Sequence, residues 1–355
     1  MGILCLQLTK RVNQVVMRAT IRSVAEEAGV SAVTVSNVLR GLDSRASPET
    51  RARVLEAAQR LNYLPVSPPT SQNRRLDTRI VTLVPEHQNI THYDLDLYTY
   101  EGIVEGARKH GYDVLTMVRE CHDRVLENDE LRFVDRRSDG FIFAVSIQGK
   151  WERALDIVSE HHIPSVVCYR RDTPDGVAWV DVDNDSVMAQ MVAHLAERGH
   201  KRIAYLSGPQ DNFDESQRQR AWVEAMWKQG LPLRQEFVVR GTVRHYDFHP
   251  EAAATVRRLG ATAVVCFNDT LALCLWDALE AQGLRVPHDV SLIGVDNRPE
   301  AVKRGLSSVA HSFSEVGRLA MDAWVELKNG ADATMCSRLA PVHLVVRDSV
   351  RALSP

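Results

Sequence analysis

Cysteine is scarce in this chain: six in 355 residues (Cys5, Cys121, Cys168, Cys266, Cys274 and Cys336), with no C-x-x-C pair. Such spacing offers neither a disulfide framework nor a zinc or redox motif, so the cysteines read as small buried hydrophobes of a reducing compartment. His161-His162 and Cys121-His122 have no second ligand pair at a matching distance, and no metal site is expected. No apolar run reaches the roughly 20 residues needed to cross a bilayer, which removes the membrane as a partner. Catalytic signatures are missing too. No G-x-G-x-x-G follows the first predicted strand, and G-x-x-x-x-G-K-[ST], G-x-S-x-G and H-E-x-x-H do not occur. The carboxylate pairs Asp94/Asp96 and Asp181/Asp183 are of a kind that loops in any α/β protein carry. No enzyme is expected, and no cofactor is implied.

What is present is an ordinary globular composition, 45% hydrophobic and 25% charged, at a length that supports two or three cores. The charge is unevenly placed. Residues 1–79 hold twelve Lys/Arg against six Asp/Glu, a net of +6, which leaves −9 for the remainder of a chain whose net charge is −3. A basic head on an acidic body suits a small nucleic-acid module joined to something with another task.

The stretch TIRSVAEEAGVSAVTVSNVL, from Thr20 to Leu39, organises that head. Thr20 is an N-cap, and Ile21, Val24, Ala25 and Ala28 form one apolar stripe of a first helix. Gly29 ends it, because glycine enters the left-handed region without the Cβ penalty. Ser31 caps a second helix whose Val35, Val38 and Leu39 turn inward, leaving Ala32, Thr34, Ser36 and Asn37 on an outer face. Ser47-Pro48-Glu49 then announces a third helix, with Val54, Leu55, Ala58 and Leu61 as its inward stripe and Tyr63 beside them. Two short helices about a glycine turn predict a helix-turn-helix, whose second helix enters the major groove.

From Arg79 onward, strands alternate with amphipathic helices. Predicted strands are Ile80–Pro85, Asp113–Thr116, Gly140–Ala144, Pro164–Cys168 and Ala178–Asp181 in one series. Arg202–Leu206, Glu236–Val239, Ala263–Phe267 and Val290–Val295 make a second. Helices are expected at Leu97–His110, Trp151–His161, Ser186–Arg198, Ser216–Gln229 and Thr270–Gln282, with Gly111, Gly199, Gly230 and Gly283 at their C-caps. Apolar strands separated by helices predict parallel doubly wound sheets, and two series predict two lobes. The expected fold is a small all-α helix-turn-helix domain followed by an α/β body of two doubly wound lobes.

TIRSVAEEAGVSAVTVSNVL followed by SPETRARVLEAAQRLNYLP resembles the lactose-repressor (LacI/GalR-type) family of bacterial transcription regulators. GHKRIAYLSGP, CFNDTLAL and VPHDVSLIGVDN resemble further motifs of that family, so the likeness spans Thr20 to Arg347. It implies a body like that of periplasmic sugar-binding proteins, with a ligand between the lobes at the strands' carboxyl ends. In the head it assigns base readout to Ala32, Val33 and Asn37, and phosphate contacts to Thr20, Ser31, Thr34, Ser36, Ser47 and Thr50. The chemistry agrees: Asn pairs bidentately with adenine, Ala or Val packs on a thymine methyl, and short hydroxyls hold phosphates. Family members insert a leucine from a hinge helix into the minor groove. Here the linker reads VSPPTSQNRR, Gln72 stands at the wedge position, and Pro68-Pro69 favours extended backbone. Arg74 and Arg75 are expected to supply charge to DNA instead, or the linker is a solvated tether.

In the body the resemblance assigns effector binding to Arg218, Asp296 and Asn268, although Ala221 replaces the usual glycine before Trp222. Asp269 is expected to cap a helix. Phe248 stands where an aromatic packs on a sugar face, and Asp96 and Tyr98 lie in the first lobe's pocket loop, which begins at Tyr93. The expected domains are 1–16, an arm or a start assigned too early; 17–65, the DNA head; 66–78, the linker; and 79–355, the body. Within the body, the first lobe takes about 79–182 and 310–331, the second about 183–309 and 332–348. The implied function is a cytoplasmic homodimeric repressor whose grip on double-stranded operator DNA depends on a carbohydrate-like effector. A sugar-binding transport protein, and a corepressor or activator mode within the same family, are the alternatives.

Overall fold

The computed structural model describes residues 20–39, 46–61, 78–86, 94–117, 132–149, 151–243 and 247–353. The expectations for 1–16, Tyr63, the Pro68-Pro69 linker, Gln72, Arg74, Arg75, Tyr93 and Cys121-His122 fall outside them. The chain divides into two compact units, Met1–Arg74 and Arg75–Pro355.

The first unit holds helices α1 (Ile21–Ala28), α2 (Ala32–Leu39) and α3 (Pro48–Arg60). Thr20 and Ser23 close a reciprocal capping box: Ser23 N donates to Thr20 Oγ1 at 3.2 Å and Thr20 N to Ser23 Oγ at 2.7 Å. Gly29 follows in the left-handed region at φ 63°. Val24, Ala25, Ala28, Val35, Val38, Val54, Ala57 and Ala58 form the core. One expectation fails here. Leu55 is 47% exposed and Ala57 is buried, because the inward stripe of α3 runs 54, 57, 58, 61, the true i, i+3, i+4, i+7 phase.

The second unit contains two six-stranded sheets. The first comprises β1 (Ile80–Pro85), β2 (Asp113–Thr116), β3 (Phe141–Ala144), β4 (Ser165–Cys168), β5 (Ala178–Val182) and β11 (Arg338–Ala340), in the order β11-β5-β4-β3-β1-β2. The second comprises β6 (Ile203–Ser207), β7 (Val238–Arg240), β8 (Ala263–Cys266), β9 (Ser291–Val295), β10 (Ser307–Ala310) and β12 (His343–Val345), in the order β12-β10-β9-β8-β6-β7. Neighbours are parallel except β12, which runs antiparallel to β10. Every residue of β3, β4, β8, β9 and β10 is buried, as strands covered on both faces must be.

The chain passes between the sheets after β5, after β10 and after β11. Segment 338–340 was expected in the second lobe; it pairs instead with β5 at the edge of the first sheet. Its three residues are too few to show a pattern in the sequence. Helix α4 (Asp94–His110) packs on a late helix, Phe313–Lys328, close enough that only glycine fits at three crossings. A Cβ on Gly102 would lie 2.0 Å from Ser314 O, one on Gly106 2.8 Å from Met321 Cβ, and one on Gly317 2.2 Å from Thr99 O.

Candidate nucleic-acid interface and effector cleft

In the head, the hydroxyls of Thr20, Ser31 and Ser47 each cap a helix. Ser31 Oγ accepts from Thr34 N at 3.1 Å and Ser47 Oγ from Thr50 N at 3.2 Å. The same hydroxyls pair with Thr34 Oγ1 (2.9 Å) and Thr50 Oγ1 (3.0 Å). The Ser31–Thr34 pair uses one hydroxyl hydrogen internally and keeps one, whereas Ser47 Oγ donates to Glu49 Oε2 at 3.3 Å and has that hydrogen for a phosphate only when this exposed contact opens. Capping and phosphate contact are therefore compatible tasks for these side chains. Val33 is 68% exposed on α2, while Ser36 and Asn37 are half-buried. Ala32 packs partly against the head core, so its contribution to an outer face is smaller than its position in the sequence implies.

In the body, helix α7 (Phe213–Lys228; preceded by α5, Glu152–Glu160, and α6, Asn184–Glu197) carries Arg218. This arginine is 3% exposed. Its Nε donates to Asn184 Oδ1 at 2.8 Å, its Nη1 to the Phe267 carbonyl at 2.6 Å, and its Nη2 lies 3.9 Å from Asp214 Oδ2. Asn184 in turn donates to Asp214 Oδ1 at 2.9 Å and Gln217 Oε1 at 3.3 Å. The guanidinium thus ties the end of β5 to the end of β8, and it stacks 4.8 Å from the Phe267 ring. Asn212 begins α7 earlier than expected, because its Oδ1 accepts from Asp214 N at 2.8 Å.

Asp296 follows β9 with φ 104° and accepts from His311 Nε2 at 3.0 Å. The loop that presents it is held by Asp269, which accepts from Arg298 N at 2.8 Å and from Ser308 Oγ at 2.7 Å. Gly294 makes this possible, since a Cβ there would lie 2.1 Å from Asp269 Oδ1. Burial, then the charge of Asp296, pushes the Asp269 carboxyl up to about 7. Two other carboxyls are raised by burial: Asp181 to about 6, with Asp214 adding to it, and Glu215 to about 7, against hydrogen bonds from Gly208 N and Tyr205.

Two placements differ from expectation. Asn268, not Asp269, caps α9 (Asp269–Ala281; α8 is Ala252–Leu259), its Oδ1 accepting from Leu271 N at 3.0 Å. A carboxamide held that way keeps its NH2 and one oxygen lone pair for a ligand. In the first lobe, the expected pocket loop at Asp96 and Tyr98 is helical, part of α4. Residues two apart on a helix face in different directions, so Asp96 is buried and Tyr98 is 43% exposed. Phe248 packs half-buried on the second-lobe core and bridges to Thr242. The rings that stand with Arg218 and Asp296 are instead Phe267 and, through His311, Phe313 of α11 (Phe313–Lys328; α10 is Pro299–Arg304).

Sequence reasoning missed Tyr169, Asn184, Asp214 and His311. Tyr169 follows β4, bonds Thr99 Oγ1 at 2.5 Å, and has the charges of Asp96 and Asp214 near its hydroxyl. All four lie within a short loop or turn of a strand's carboxyl end, the one signal that could have found them. The lobes also touch directly: Phe213 N donates to Ser146 O (2.9 Å), Gln148 N to Asp211 O (2.8 Å), and Arg170 lies over the Phe213 ring at 4.5 Å. Carboxylates, amides and aromatic edges gathered at the strand ends suit a ligand rich in hydroxyls.

Residues 20–66 match the family of bacterial regulatory proteins, lacI family, and residues 192–350 match a periplasmic binding protein-like domain. Head and body are thus each similar to a part of the lacI-type regulators. Among relatives, the HTH-type transcriptional repressor CytR of Escherichia coli (strain K12) is 29% identical over 346 residues, covering 94% of this chain and 97% of that protein. Among solved structures, the transcriptional regulator CelR–cellobiose complex is similar at 26% identity and TM-score 0.64, covering 94% of this chain and 100% of that one. The lac repressor dimer bound to operator and the anti-inducer ONPF shares the fold at 22% identity and TM-score 0.63, covering 94% and 99%. Like these proteins, the chain carries a helix-turn-helix head and a two-lobed body.

Proposed function

We propose that this protein is a sequence-specific DNA-binding transcriptional repressor, acting in the cytoplasm as a homodimer, whose operator affinity is set by a small polar ligand held between the lobes. The observation that carries the reading is the joining, in one chain, of a helix-turn-helix head to a two-lobed body with Arg218 and Asp296 at its strand ends. Thr20, Ser31, Thr34, Ser36, Ser47 and Thr50 hold phosphates, Asn37 and Val33 read bases, and Arg74 and Arg75 add charge from the linker. The ligand is a sugar or sugar derivative. CelR was solved with cellobiose, and the Arg218–Asn184–Asp214 network with Asp296 offers the paired donors and acceptors that adjacent hydroxyls need. Regulation follows when the ligand binds one lobe arrangement more tightly than another. Asn37→Ala tests the head: operator affinity is expected to fall with loss of preference at one base pair. Unchanged affinity and preference would sink the assignment. A transport-type sugar-binding protein has no use for residues 20–66, which weighs against that alternative.

A further inference from the structure

His311 lies where the chain leaves β10 for α11, at one of the passages between the lobes. Its side chain is 1% exposed, and its Nε2 is 3.0 Å from Asp296 Oδ1. A carboxylate can only accept, so Nε2 carries the hydrogen that faces Asp296, and in the ring's neutral form Nδ1 is left as an in-plane acceptor. Nδ1 is buried and has no partner among the described residues. The ring stands edge-to-face with Phe313 at 4.5 Å, and Phe313 meets Tyr169, the Thr99 partner, at 6.2 Å. His311 is thereby placed between the second lobe's Asp296 and an aromatic wall that includes a first-lobe ring. Buried acceptors without a donor are uncommon and costly, and a ligand that brings a donor removes the cost.

We propose that His311 reads the effector: its Nδ1 accepts a hydrogen bond from a ligand hydroxyl or N–H, while Asp296 fixes the ring through Nε2. The inference rests on the cleft being the effector site. It narrows the ligand to one that carries a neutral donor beside a face able to lie on Phe313, as a pyranose or a nucleoside does. A carboxylate or ether oxygen at that point would set lone pair against lone pair and be rejected.

The test uses the full chain, calorimetry, and cellobiose, ribose, and pyrimidine and purine ribonucleosides as probes, followed by the monodeoxy derivatives of the tightest binder. On the wild type, one derivative is expected to bind about tenfold more weakly than its parent. His311→Gln keeps a donor for Asp296 and has no atom at the Nδ1 position. It should bind the parent about tenfold more weakly and no longer distinguish that derivative, a non-additive cycle that a merely structural role would not produce. His311→Asn, which sets a carboxamide near the Nδ1 position, should recover part of the discrimination. The proposal is overturned if His311→Gln binds parent and derivatives as the wild type does, or weakens all of them by one factor. Arg218→Ala separates the two levels. If it abolishes binding while His311→Gln is neutral, only the role of His311 fails. Should Arg218→Ala bind like the wild type, or no probe bind the wild type, the cleft reading and this one fall together.

Discussion

Asp269 sits where a buried carboxyl does structural work, and its titration has a consequence for stability. Burial and the neighbouring Asp296 raise it to about 7, whereas an aspartate in an unfolded chain titrates near 3.9, about the ordinary value. Between about pH 4 and 7 the folded form therefore keeps a proton that the unfolded chain has lost, so stability is fully present below that window and falls as pH rises through it. Asp181 and Glu215, raised to about 6 and about 7, act with the same sign. Asp139, Glu152 and Asp322, all lowered, act only at more acid pH. Thermal melts at stepped pH should show Tm declining from about pH 4.5 to about 7.5. Asp269→Asn should make the decline shallower, and an unchanged slope would contradict the assignment. Arg218 and Asp296 are singled out by the sequence because each stands in a recognisable motif. His311, Tyr169 and Asn184 are not, since their meaning comes from distances across lobes that no local pattern encodes.

The elements were the most legible level, because hydrophobic period and capping chemistry are local. Thr20, Gly29, Ser31 and Ser47 mark helix ends as expected, and the nine predicted strands match β1 to β9 to within two residues, whereas β10, parallel to β9, was not among them. Errors arose where tertiary packing chose the outcome: the phase of α3 at Leu55, the helical start of α4, and the short strand β11. Two substitutions test this level. Gly29→Ala meets no atom within 4 Å, so its cost is purely that of a left-handed alanine, about 1–2 kcal/mol. It should appear as faster amide exchange in α1 and α2, with the body unaffected. Gly317→Ala drives a Cβ onto the Thr99 carbonyl and should cost about 1–3 kcal/mol or more, read as a drop of several degrees in the melting of the body.

At the scale of the whole molecule, the +6 over residues 1–79 and the −9 over the rest separate two tasks. Phosphate contacts release counterions, so DNA affinity should fall steeply with added salt, while ligand affinity of the acidic body should change little. The direction of control, release or recruitment of the head, follows from which lobe arrangement the ligand favours. One ligand held between the lobes is expected to change the grip of the head on one DNA sequence. The most direct test is fluorescence anisotropy on a duplex selected in vitro by the full chain, with and without the compound that most stabilises the body. We predict a change in Kd of at least about tenfold for the wild type, a coupling of ordinary size, and none for Arg218→Ala, with operator binding itself retained by that variant. A wild-type Kd that the compound leaves unmoved, or DNA binding without sequence preference, would contradict the account.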